Sequence, residues 1–135
     1  MSALFLDSSA WYAALSERQS EHLACRERYR AAIQRGTRLV TTSLVVAEMH
    51  ALLLKRTSPA FAQRFLVVLN DAQHEVVHLD ADMMEQATAR WIRGYADQPF
   101  SLCDACSFEV MRTRRLKTAF TLDHHFAVAG FQTVP

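Results

Sequence analysis

The chain has 135 residues, half of them hydrophobic and 21% charged, so it carries enough apolar material for one compact core and does not read as disordered. Fifteen basic residues against 14 acidic ones leave a formal net charge of +1, which excludes the strongly basic type of nucleic-acid binder. No apolar run approaches the roughly 18 residues of a membrane helix, and the opening MSALFLDSSAW lacks the basic start of a signal peptide. The expectation is a single domain over 1–135, cytoplasmic and without membrane contact.

Residues 3–6 (ALFL) read as a short buried strand, followed by Asp7, Ser8 and Ser9, any of which can cap a helix beginning near Ala10. A polar break at 17–20 leads to a second helix over about 20–35, closed by Gly36. Residues 38–41 (RLVT) read as the second strand, and Thr42 or Ser43 caps a strongly apolar helix over 43–57. Ser58-Pro59 opens a further helix reaching about residue 72. Residues 75–79 (EVVHL) read as a third strand, and Asp80 or Asp82 caps a helix over 82–95 with Met83, Ala87, Trp91 and Tyr95 on one face. A loop over 94–101 precedes a helix over 102–115, whose basic end (Arg112, Arg114, Arg115) complements the helix dipole. Residues 118–122 (TAFTL) read as a fourth strand, 124–128 as a short helix closed by Gly130, and 131–134 (FQTV) as a fifth, edge strand.

Strands alternating with helices predict an α/β fold with a mainly parallel sheet covered on both faces. In such sheets ligands bind beyond the carboxyl ends of the strands, which directs attention to the residues that follow each strand. Asp7 ends the apolar run LFL and Asp123 ends AFTL. Glu48 lies inside LVVAEMHALLL, where a buried carboxylate is costly unless paired or bound to a cation. Asp104 opens the helix that carries Phe108 and Val110. Taken singly, Asp7, Asp104 and Asp123 are equally readable as helix caps, and Glu48 can reach solvent through a gap. Together they are four acids from four segments meeting at one sheet edge. At about 5 Å and an effective dielectric of about 20, each pair repels by roughly 3 kcal/mol. Such a cluster calls for a cation or protons, and oxygen donors favour Mg²⁺ or Mn²⁺ over zinc. Carboxylate-held magnesium commonly serves phosphate chemistry: it activates a water for attack while an outer carboxylate accepts the proton.

Other patterns point elsewhere or nowhere. With only Gly36, Gly94 and Gly130, a glycine-rich phosphate loop is excluded, and no G-x-S-x-G occurs. A phosphatase built on Asp7 would show a second acid two residues on, where Ser9 stands. Three cysteines fit a reducing compartment. Cys103-x-x-Cys106 has no second pair to complete a zinc site and reads as one helix with at least one cysteine facing the core. Trp11 and Tyr12 could stack on an unpaired base, but read first as core. His50 and His124–His125 read as exposed helix faces, with a contact to Asp123 as the other reading.

The four acidic segments carry a family resemblance. LFLDSSAWYAAL, TTSLVVAEMHALL, SLCDACSFEVMR and TAFTLDHHFAVAGF resemble, in order, the four motifs of PIN domains, especially VapC-type toxins. The resemblance covers nearly the whole chain and implies a three-layer α/β/α fold with strand order 3-2-1-4-5. It implies Mg²⁺- or Mn²⁺-dependent endonucleolytic cleavage of single-stranded or structured RNA, a homodimer, and a cognate antitoxin that blocks the site. Asp7, Glu48, Asp104 and Asp123 carry over as the acids; Ser9 and Ser107 match small polar positions near the metal. Asp97 is a further, outer acid or a turn residue. Cys103 stands where many relatives have Thr. Two other functions fit the same motifs: a catalytically silent binding module, and an RNA-processing nuclease without an antitoxin. Arg38, Arg64, Arg90, Arg93, Arg112, Arg114 and Arg115 are the basic residues available to grip phosphate, and the low net charge predicts a local basic rim rather than a global field, with a modest salt dependence of binding.

Overall fold

A computed structural model describes residues 2–135. Five parallel strands, β1 (Ala3–Leu6), β2 (Arg38–Thr42), β3 (His74–Val77), β4 (Thr118–Phe120) and β5 (Gln132–Val134), form one sheet in the order β3-β2-β1-β4-β5. Seven α-helices connect them: α1 (Ser8–Leu15), α2 (His22–Gln34), α3 (Ser43–Arg56), α4 (Pro59–Val68), α5 (Ala81–Ala87), α6 (Leu102–Thr113) and α7 (His125–Val128). This is the α/β architecture and strand order that the sequence implies.

Strand register shows why both faces must be covered. Leu6 pairs with Phe120 and Phe5 with Ala119, so Phe5 and Phe120 point to opposite faces. Phe120 stacks on Tyr29 of α2, whose neighbour Trp11 packs edge-on against Phe65 of α4. Phe5 meets Phe126 of α7, which packs edge-on against Phe108 of α6. Each aromatic cluster seals one side of the sheet, and all of these rings except the half-buried Tyr29 are buried. Trp11 and Tyr12 are therefore core residues, not a base-stacking platform.

Local signals act as read, with shifts at the ends. Thr42 and Ser58 accept cap hydrogen bonds from Val45 N and Phe61 N, and Pro59 occupies the first turn of α4. Gly36 adopts φ 68° behind α2, where Thr37 N reaches back to the Ala32 carbonyl. Helix α4 stops at Val68 rather than near 72, and β3 covers 74–77.

The expected helix over 82–95 is α5 followed by a π-helical segment, Thr88–Arg93. The stripe Met83, Ala87, Trp91, Tyr95 has a spacing of four, which drifts around an α-helix of 3.6 residues per turn. A wider π turn keeps Trp91 on the core side, against Phe108 and Tyr95. Of the cysteines, Cys25 and Cys106 are buried and Cys103 is half-buried, all as free thiols, with Cys103 and Cys106 on α6. No helix among the described residues is long and apolar enough to cross a membrane.

Candidate active site

Asp7 stands at the β1–α1 junction, pinned by its own N–H to the Phe120 carbonyl of β4 (3.0 Å). It holds the N-cap position of α1, yet its side chain makes no capping bond. The carboxylate instead accepts from Thr121 Oγ1 (2.7 Å) and Ser9 Oγ (2.8 Å), and only 5% of the residue is exposed. Burial raises its pKa from 3.8 to about 6, against the lowering effect of those two hydroxyls; the nearby Asp104 carboxylate adds to the rise.

Thr121 is buried and ties two acids into one frame. It donates to Asp7, and its oxygen accepts from Asp123 N (3.0 Å). Ser9 mirrors it, donating to Asp7 and accepting from Leu122 N (2.9 Å). Strand β4 ends at Phe120, so Asp123 lies three residues beyond the strand, not at its end as the apolar run suggested. The side chain of Thr121 turns inward to Asp7, and the loop beyond presents Asp123, whose Oδ1 accepts from His125 N (2.9 Å).

Asp104 is not an N-cap. Ser101 is the cap of α6, and Asp104 closes a reciprocal capping box: its N–H donates to Ser101 Oγ, and its Oδ2 accepts from Ser101 N. Burial raises its pKa, and repulsion from Asp123 adds to the rise. Glu48 is where expectation and structure part. Helix α3 buries Val45, Met49 and Leu53, and Glu48 lies exposed beside that stripe, so no apolar burial forces a partner on it. Its Oε1 accepts from Ser8 Oγ, which links α3 to the start of α1.

Cys103 shows how the acids converge. Burial first, and then the charges of Glu48, Asp7 and Asp104, push its thiol up to about 12, so all three carboxylates act on one side chain. The basic neighbour of the cluster is His125 rather than His50 or His124. Its Nδ1 lies 3.2 Å from Asp123 Oδ1 and 3.7 Å from Asp104 Oδ2, and its ring rests edge-on against Phe100. His124 is solvent-exposed, 3.8 Å from Asp123. Asp123, His124 and His125 are the only His/Cys/Asp/Glu trio among the described residues whose ligand atoms all lie within 4.8 Å of one another; the four acids do not close to that spacing.

The secondary positions separate. Ser9 joins the site. Ser107 is fully buried and donates to the Cys103 carbonyl within α6 (2.9 Å). Asp97 is exposed in the turn after the π segment. Sequence reasoning missed Thr121 and the bond from Ser8 to Glu48, and underrated His125. It also missed Glu109, a buried acid outside the site, which accepts from Trp91 Nε1 and pairs with Arg90 and Arg112.

This geometry can be set beside known proteins. The family model for the PIN domain matches residues 4–132. The chain belongs to the PIN domain family. Among PIN relatives, the 23S rRNA-specific endonuclease VapC20 of Mycobacterium tuberculosis is 28% identical over 131 residues, spanning 97% of each chain. The crystal structure of VapC20, described as a Sarcin-Ricin loop cleaving toxin, superposes with a TM-score of 0.85 at 27% identity, covering 98% of this chain and all of the other. VapBC2 from Rickettsia felis, solved bound to a promoter DNA fragment, shares the fold at a TM-score of 0.70 and 13% identity, over 97% of this chain and 96% of that one.

Proposed function

We propose that this chain is an Mg²⁺- or Mn²⁺-dependent endoribonuclease, one PIN domain acting in the cytoplasm as the toxin of a toxin–antitoxin pair. The observation that carries the reading is Asp7: a buried carboxyl, held by two hydroxyls and disfavoured as an anion, with the Asp104 charge acting on it. Such a site gains most by taking up a divalent cation, and its donors are carboxylate oxygens of the kind Mg²⁺ and Mn²⁺ prefer. Asp7, Glu48, Asp104 and Asp123 would hold it. When bound, the cation supplies charge stabilisation to a phosphoryl group and lowers the pKa of water.

The chain's own residues do the arranging. Thr121 and Ser9 orient Asp7, Ser8 orients Glu48, and His125 sits between Asp104 and Asp123, offsetting their repulsion when it carries a proton at Nδ1. Ser107 and Asp97 are left out of the proposal, because the first spends its hydroxyl inside α6 and the second stands apart in an exposed turn. The RNA substrate is supported by the named activity of the VapC20 relative. An antitoxin is supported by neighbours solved as VapBC complexes. An apolar groove lined by Trp11, Leu15, Tyr29, Ile33, Phe61 and Phe65, between α1, α2 and α4, offers such a partner carbon surface to bury. The homodimer rests on the family resemblance.

The test is RNA cleavage by purified protein with chelator, then with Mg²⁺ or Mn²⁺ restored. Activity should vanish and return; cleavage that persists in chelator, or is unchanged in Asp7→Asn, overturns the reading in favour of a silent module. Thr121→Val should leave the fold intact but raise the half-saturating Mg²⁺ concentration by about ten-fold or more, as loss of a ligand-orienting hydrogen bond does. Thr121→Ser should restore it. An equal Mg²⁺ requirement in all three proteins would remove Thr121 from the site.

A further inference from the structure

The net charge of +1 does not exclude a local basic patch. Asp7 and Asp123 lie beyond the carboxyl ends of β1 and β4. At the amino end of the sheet, Arg38, Arg114, Arg115 and Lys117 line one open recess with Ser2, Ala3 and Thr118. An adjoining recess, sharing Ser2, Ala3 and Thr118, adds Arg28 and Arg35. No acidic residue lines either one. Glu75 pairs with Arg38 and Arg114 and braces both, whereas Arg28, Arg35, Arg115 and Lys117 have no ion pair among the described residues. Basic residues at the ends of α2 and α6 complement the helix dipoles, which accounts for Arg35, Arg114 and Arg115 but not for Arg28, Arg38 and Lys117, brought to the same edge by three segments.

A second observation comes from the backbone. Helix α6 ends in a Schellman turn, with Leu116 N donating to the Met111 carbonyl (2.8 Å), and the residue in the left-handed position is Arg115, at φ 56°. Arg115 is the only non-glycine residue with positive φ among the described residues. The matching turns after α2 and α7 use Gly36 and Gly130. A side chain here costs stability that glycine would not, and strain kept against a cheaper residue points to use of the side chain. Arg115, Leu116 and Lys117 line both the recess at the sheet edge and a neighbouring one that includes Phe131.

We infer that this basic edge is a second RNA-binding surface, which grips the phosphate backbone of a structured RNA remote from the bond being cut. The inference rests on the endoribonuclease reading for its choice of ligand. Strand β1 alone separates the two ends by about 13 Å, so a short oligonucleotide in the acidic site leaves the basic edge empty, while a large folded RNA reaches both. Phosphate contacts of this kind add affinity and position without reading sequence.

The experiment compares wild type, Arg115→Gly and Lys117→Glu, each as the full chain in chelator. It measures equilibrium binding to ribosomal RNA and to a short single strand across a salt series. Arg115→Gly should raise Tm by about 3–6 °C and yet weaken ribosomal RNA binding, with the log–log salt slope falling by about one. Lys117→Glu should weaken it further, and binding of the short strand should stay within error. With Mg²⁺ present, cleavage of the short strand should be unchanged in both variants. Unaltered affinity and slope for ribosomal RNA in both variants overturns the inference. So does binding of an acidic polypeptide in preference to RNA, which would make the edge a protein-docking face. If the short strand is never cut by wild type, the nuclease reading fails, while the binding series still decides the fate of the basic edge.

Discussion

Asp7→Asn is expected to abolish RNA cleavage and, at the same time, to stabilise the metal-free protein at neutral pH. Its carboxyl titrates at about 6 in the folded chain against 3.8 ordinarily, mainly because it is buried. A raised folded pKa means that the stability contributed is complete below the unfolded value and is lost as pH rises through the folded one. By linkage, ionising Asp7 at pH 7 costs the fold about 3 kcal/mol. Asparagine keeps an oxygen for Thr121 and Ser9 but brings an NH₂ that needs an acceptor, which takes back on the order of 1 kcal/mol. The variant should therefore melt several degrees higher than wild type at pH 7.5 in chelator, and no higher at pH 4. Adding Mg²⁺ should raise the Tm of wild type far more than that of the variant. A variant that melts lower than wild type at both pH values would show that Asp7 is a structural anchor.

The alternation of apolar runs and amphipathic stretches makes all five strands and their parallel arrangement legible: β1, β2 and β4 are largely buried and leave apolar runs, and the largely exposed β5 reads as the edge it is. Site residues were legible to the extent that their neighbours constrained them. Asp7 closes a buried strand and has only one place to go. For Glu48 the apolar surroundings mislead: α3 carries more apolar residues than it buries, so hydrophobic neighbours in sequence do not mean burial in space. Asp104 looked like a cap, and the spacing from Ser101 already spelled the reciprocal box that makes it the third residue of the helix instead. Thr121 carries no signal, Ser8 reads only as a cap, and His125 gives no more than a contact to Asp123 as one of two readings. A threonine after a strand and a serine before a helix are ordinary, and their roles arise from contacts across 114, 40 and about 20 residues of chain. Glu109 was hidden similarly, since its two arginines and Trp91 lie on α6 and the π segment, and only the π turn brings them together.

Glu109→Ala should be strongly destabilising although Glu109 lies away from the site. The carboxylate is 5% exposed, accepts from Arg112 through both oxygens and from Trp91 Nε1, and pairs with Arg90. The two arginines are each 44% exposed and can turn back to water, but the indole N–H of buried Trp91 cannot. Loss of the carboxylate leaves that donor unsatisfied and opens a void beside α6, for an expected cost of about 2–4 kcal/mol. In the Trp91→Phe background the same change should cost less, since the stranded donor is gone; equal costs in both backgrounds would refute the coupling. The titration of Glu109 runs opposite to that of Asp7. Hydrogen bonds from Arg112 lower its pKa below 4.5, so its stabilisation is present above that value and is lost as pH falls through the folded one. Asp7 withdraws stability as pH climbs from its ordinary 3.8 to about 6. The metal-free protein should accordingly be most stable at about pH 4, where the rising contribution of Glu109 and the falling one of Asp7 balance, and not at neutrality. Thermal melts in chelator from pH 3 to 8 should trace this maximum, with Asp7→Asn flattening its upper limb and Glu109→Gln its lower one. A divalent cation shifts the balance by favouring ionised Asp7, so the maximum should move towards neutral pH when Mg²⁺ is added, and a profile indifferent to Mg²⁺ would sever the link between the acid cluster and the cation.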